Sequence, residues 1–134
     1  MTFNLGPLWQ DRNSIMFEDE DSNTPLHLAC INRKYKTAAI LLKFGADVHS
    51  RNAKKWTPLD CAASVGAVHC AKMLLDAHAP IDPLDRTKTT PLHLAAENGH
   101  SRMLDLLLSY GANITMEDSQ SRNALDRAIM SGKK

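Results

Sequence analysis

Aromatic residues make up only 5% of this 134-residue chain, although 43% of it is hydrophobic. A core built on large rings is excluded. What remains is small and aliphatic, the balance needed where small helices stack with their backbones close together. Net charge is nearly absent: 16 Lys and Arg face 15 Asp and Glu, a formal +1. No global field therefore steers the chain toward nucleic acid or a membrane surface. Cysteines are few and odd in number, at Cys30, Cys61 and Cys70. Met1 to Gln10 has neither a basic segment nor a small-residue cleavage site, so the odd count argues against a disulfide framework and for a reducing, cytoplasmic setting. Asn113-Ile114-Thr115 fits the glycosylation acceptor pattern, which in such a setting is a chance match. No apolar run approaches the ~20 residues of a membrane span, so no direct membrane insertion is expected of this segment. No Gly-rich phosphate loop and no Cys-x-x-Cys pair occurs, and no cofactor or metal is indicated.

Repetition is what the chain has. Thr24-Pro25-Leu26 recurs as Thr57-Pro58-Leu59 and Thr90-Pro91-Leu92, 33 residues apart each time, and Asn123-Ala124-Leu125 follows at the same interval. Ala29, Ala62, Ala95 and Ala128 share the register, as do Leu41-Leu42, Leu74-Leu75 and Leu107-Leu108. Each unit opens near Asp19, Asn52, Asp85 or Asp118. In the clearest unit, Thr90 can cap a helix whose first position suits Pro91. Leu92, Ala95 and Ala96 then form one apolar face, and Gly99 ends the helix. A second helix is predicted from about Ser101 to Tyr110, with Leu104, Leu107 and Leu108 as its buried stripe and Gly111 as its stop. Neither helix can bury its stripe alone, so neighbouring units must stack.

A period of 33 carrying Thr-Pro-Leu-His and a later Leu-Leu resembles the ankyrin-repeat family, over roughly residues 19 to 134. The resemblance implies an all-α solenoid of stacked antiparallel helix pairs with β-turn finger loops. Its units would be repeats at 19–51, 52–84 and 85–117, a truncated repeat at 118–134 and a degenerate partial repeat at 1–18. A short helix is expected near Pro7, with Leu8-Trp9 aligned on Leu41-Leu42. Neither end carries the polar outer face of a terminal repeat, so a fragment of a longer array is expected. The family's motif histidine, here His27 and His93, joins a network between adjacent turns. Asp60 and Asp126 replace it and should keep only part of that network. The family's turn glycine is replaced by Ser22, Lys55, Lys88 and Ser121, so those turns must hold a residue at positive φ or change type. Cys30 and Cys61 stand at Ala and Leu positions and read as buried, whereas Cys70, equivalent to Thr37 and Met103, is expected to be less buried and more reactive.

A second resemblance is to the ankyrin-type transient receptor potential (TRPA-like) cation channels. It rests on Asn4-Leu5-Gly6-Pro7, on Met16-Phe17-Glu18-Asp19-Glu20-Asp21, and on Val48-His49-Ser50-Arg51 with Lys54-Lys55. It implies a segment of a cytosolic array at the plasma membrane, with neighbouring repeats as partners. The alternative is a soluble adaptor or inhibitor that captures a separate protein.

Catalysis is not expected. His69 and Cys70 are adjacent on a helix and diverge by about 100°, and His27 and His93 stand two repeats apart, too far to share a metal. The surface that remains is the row of turns and the exposed side of each first helix. Its candidate protein-binding residues are Glu20, Asp21, Asn23, Ile31 and Asn32, then Ala53, Lys54, Trp56, Ser64 and Val65, then Arg86, Thr87, Thr89, Glu97 and Asn98. Trp56 is a typical hot-spot residue type, though it could equally pack flat against the next turn. Arg51, Lys54, Lys55, Arg86 and Lys88 form a basic strip beside the acidic run from Glu18 to Asp21, most simply read as solvated turn charge.

Overall fold

A computed structural model describes residues 19–132. The expected helix near Pro7, and the partial repeat at 1–18, lie outside the described residues. Among these residues there are seven helices and no strands: α1 (Pro25–Ile31), α2 (Tyr35–Lys43), α3 (Pro58–Val65), α4 (Val68–Asp76), α5 (Pro91–Glu97), α6 (Ser101–Ser109) and α7 (Ala124–Ser131). Helices α1, α3, α5 and α7 stack as an inner row, α2, α4 and α6 as an outer row, and each outer helix packs on the inner helix before it.

The start of every inner helix is fixed by a reciprocal cap. Thr24, Thr57, Thr90 and Asn123 accept from the backbone N–H three residues on, and the side chain there (His27, Asp60, His93 or Asp126) accepts from the cap's own N–H. Two otherwise unsatisfied donors are filled per helix. Gly99 follows α5 at φ +74°, as its position predicts. Ser22, Lys55, Lys88 and Ser121 all lie at φ between 60° and 65°, so these turns keep their type and accept the cost of a side chain in the left-handed region.

Leu26, Leu59 and Leu92 are at most 1% exposed, and Ala62, Ala63, Ala95 and Cys61 lie between them in one continuous core. Two expectations are corrected. On α6 the buried stripe is Met103 and Leu107, with Leu104 half-buried, while Leu108 is 40% exposed. Its equivalent Leu75 is buried because α6 packs beside α4. No outer helix follows α6 among the described residues, so Leu108 has no such cover. Cys70 is buried as fully as Cys30 and Cys61, because α4 is the middle helix of the outer row. Burial pushes the Cys61 thiol up to about 12. The neighbouring Cys70 thiol, then burial, raises that of Cys30.

Candidate binding surface

The finger turns are built on one acceptor each. Asp19 Oδ1 accepts from the backbone N–H groups of Asp21 and Asn23, both at 2.9 Å. Asn52 Oδ1 does the same for Lys54 and Trp56, Asp85 Oδ1 for Thr87 and Thr89, and Asp118 Oδ1 for Gln120 and Arg122. Short side-chain acceptors favour such turns because they satisfy amides that the tight backbone leaves open. Adjacent fingers join through Ala53 N–H to the Asp21 carbonyl, 2.9 Å, and Ser119 N–H to the Thr87 carbonyl, 2.8 Å.

The motif histidines bridge the same interval. His27 Nδ1 accepts from Thr24 N–H at 3.1 Å, which leaves the ring proton on Nε2 for the Trp56 carbonyl, 2.8 Å away. His93 does likewise between Thr90 and the Arg122 carbonyl. Asp60 makes only the first half of this contact. Its Oδ2 accepts from Thr57 N–H at 2.9 Å, while Oδ1 is buried with no partner. Burial pushes its carboxyl up to about 7, against the hydrogen bonds from Thr57.

Asp21, Asn23, Ile31, Ala53, Lys54 and Trp56 come together around a depression of about 210 Å³ between the first two fingers. That is room for one or two side chains, below the size of an ordinary small-molecule pocket. Trp56 is half-buried. Its indole N–H donates to Asp85 Oδ2 at 3.0 Å, and Lys54 Nζ lies 4.7 Å from the ring centroid. One edge of this residue is therefore pinned to the next turn, and the rest lines the depression. Burial works against ionisation of Asp85. The amides of Thr89 and Thr87 and the Trp56 indole outweigh it, holding its carboxyl below the usual range.

Other candidate residues are spread along the turns. Asn23 and Thr89 are buried and occupied: Asn23 Oδ1 accepts from Asn52 at 2.9 Å, and Thr89 Oγ1 from Arg127 at 2.6 Å. Asn32 and Asn98 close the ends of α1 and α5 by donating to the Leu28 and Leu94 carbonyls. Ser64 donates to the Cys61 carbonyl, and Glu97 accepts from Arg127 at 2.9 Å. Arg86 donates to the Ala53 carbonyl at 3.4 Å, so part of the basic strip ties turns together. Glu20 and Thr87 are exposed. Asn52 and Cys61 also line the depression and were not among the candidates. For Asn52 the signal was its register as a turn opener. For Arg127, which reaches back to Thr89, Glu97 and Asp118, the sequence offers none.

The family model "Ankyrin repeats (3 copies)" matches residues 8–86, and "Ankyrin repeats (many copies)" matches 74–128. This chain belongs to the ankyrin-repeat family. Ankyrin repeats are interaction modules that bind other proteins. The chain is 38% identical over 68 residues to human transient receptor potential cation channel subfamily A member 1, covering 50% of this chain and 6% of that protein. It is 45% identical over 58 residues to the transient receptor potential channel pyrexia of Drosophila melanogaster, covering 42% of this chain and 6% of that protein. It is 35% identical over 57 residues to the target of rapamycin complex 2 subunit AVO2 of Saccharomyces cerevisiae, covering 42% of this chain and 13% of that protein. The ankyrin chain thus spans a small part of the length of each of these relatives.

Proposed function

We propose that this chain is a non-catalytic segment of the cytosolic ankyrin array of a TRPA-like cation channel, engaging protein surfaces along its finger edge. Two channels among the relatives support the channel reading. The observation that carries the binding reading is the depression beside Trp56, where an aromatic, a cation and an acid surround a side-chain-sized hollow. Such a rim favours one anchoring side chain with polar contacts around it. With Asn23 and Thr89 buried, contact falls to Glu20, Asp21, Ile31, Lys54, Trp56, Arg86 and Thr87. The second reading, a soluble adaptor, has its support in the equally similar complex subunit. Sequencing the full-length transcript separates the two. Several runs of about 20 apolar residues mean a channel, and none means an adaptor.

The surface itself is tested by a photo-cross-linker placed at Lys54 in cells, read by mass spectrometry. Adducts should concentrate on one protein, or on another part of the same chain, and fall by about tenfold when Trp56→Ala is added. Equal adducts with and without Trp56 would place the contact elsewhere.

A further inference from the structure

The edge opposite the fingers, where each inner helix turns into its outer helix, has an electrostatic pattern that packing does not explain. Lys36, His69 and Arg102 occupy the same register, each the second residue of an outer helix. The first turns of α2, α4 and α6 contain no acid, and none of the three has a side-chain cap. A helix N-terminus carries partial positive charge and favours an anion. Placing the cations Lys36 and Arg102 there is unfavourable unless something negative joins them.

Between α4 and α6 this edge opens into a cavity of about 490 Å³, with Arg33, His69, His100, Ser101 and Arg102 on its walls and no carboxylate among its lining residues. Arg33, His69 and His100 are held by partners within the fold, and Arg33, His69, Ser101 and Arg102 are all exposed to solvent. Arg33 stands where Gly66 and Gly99 stand in the following turns, and it holds φ +60°. Its guanidinium donates to the Val65 carbonyl, which fixes it over the next turn. His100 Nε2 donates to the Ser64 carbonyl at 3.1 Å, and a Cβ on Gly66 would lie 2.6 Å from His100 Nδ1, so only glycine allows that approach. The His69 ring packs against Tyr35, centroids 5.3 Å apart. Arg102 has no hydrogen-bond or ion-pair partner among the described residues, and its side chain is exposed. The amides of His69, Cys70, Ser101, Arg102 and Met103 precede the first intrahelical bonds, which begin at Ala71 and Leu104.

We propose that this cavity is a binding site for a phosphate monoester, held by Arg33, His69, Ser101 and Arg102 and by the open amides at the starts of α4 and α6. Two guanidinium groups, a hydroxyl and helix-start amides without intrahelical partners match the acceptor oxygens of a phosphate, and arginine forks suit it in particular. The volume admits more than one phosphate or a compact ring that carries them. The group can come from a soluble ester or from a lipid headgroup; the chemistry at the cavity is the same.

The test uses the whole chain, 15N-labelled, titrated with inorganic pyrophosphate and separately with phosphatidylcholine vesicles carrying a phosphoinositide. Pyrophosphate should shift the amides of residues 66–70 and 100–103, and Arg102→Glu should weaken binding by about tenfold or more. The charge-matched Lys43→Glu, on the far end of α2, should leave it unchanged. Because Arg102 is exposed, its variant should keep the wild-type circular dichroism and melting curve; Arg102→Ala, also expected to weaken binding, guards against a folding effect. Vesicle binding with the same Arg102 dependence identifies a headgroup, and its absence alongside pyrophosphate binding identifies a soluble ester. No saturable shift with either probe, or equal losses in Arg102→Glu and Lys43→Glu, would overturn the site in favour of diffuse counterion attraction.

Discussion

Asp60 is where one residue sets a pH dependence. In the unfolded chain a carboxyl of this kind loses its proton near pH 3.9. In the fold, burial moves that loss to about 7, with Asp85 pushing the same way and Arg51 opposing. Between those values the folded state holds the extra proton, so stability falls as pH rises from about 4 to 7, and the full penalty persists above. Asp60→His would provide what His27 and His93 provide, an acceptor for Thr57 N–H and a donor for the next turn, whose carbonyl in this register belongs to Thr89. Unfolding free energy in urea at pH 8 should rise by about 1–3 kcal/mol, the scale of a buried polar atom gaining its partner. An unchanged or lower value at pH 8 would mean that the orphaned oxygen is not a liability.

At the scale of elements, α7 is held by an arginine as much as by packing. Arg127 donates through Nε to Asp118 Oδ2 at 2.8 Å, through Nη1 to Glu97 at 2.9 Å and through Nη2 to Thr89 at 2.6 Å. Asp118 is buried, a cost that the Arg122 amide and Arg127 outweigh, so its carboxyl stays below the usual range. Lysine cannot form this fork, and an uncompensated charge at Asp118 is costly. Arg127→Met, which leaves Asp118 buried without its cation, should lower stability by about 2–4 kcal/mol, read from thermal melts. A change under about 0.5 kcal/mol would show the fork to be ornamental at this end. The elements most legible in the sequence were those with local causes. Thr-Pro at a helix start and Asp or Asn at each turn act within five residues. Cys70 and Leu108 were misjudged because their burial depends on whether another outer helix lies alongside, which no local pattern encodes. The depression beside Trp56 was half legible: its turn residues follow from register, but the indole's tie to Asp85 spans 29 residues.

Across the whole molecule, equivalent positions have unequal surroundings. Leu26, Leu59 and Leu92 are at most 1% exposed, whereas Leu125 in the same register is 59% exposed and Ile129 is 70% exposed. Stability in such stacks is a sum of unit and neighbour terms, and the α7 face lacks a neighbour among the described residues. Adding one consensus repeat after residue 134 should raise the melting temperature and reduce concentration-dependent mass in light scattering. Identical melting temperatures, with a strictly monomeric shorter chain, would mean that α7 already serves as a terminal cap. One of the three cysteines gives this unevenness a clock. Cys30 belongs to α1, Cys61 to α3 and Cys70 to α4, and all are at most 1% exposed, although Cys61 lines the depression beside Trp56 and Cys70 the cavity between α4 and α6. A thiol reagent reaches Cys30, which lines neither hollow, only when the first two helix pairs part, so its labelling rate times the opening of one half of the stack while the other half, which has no cysteine, stays silent.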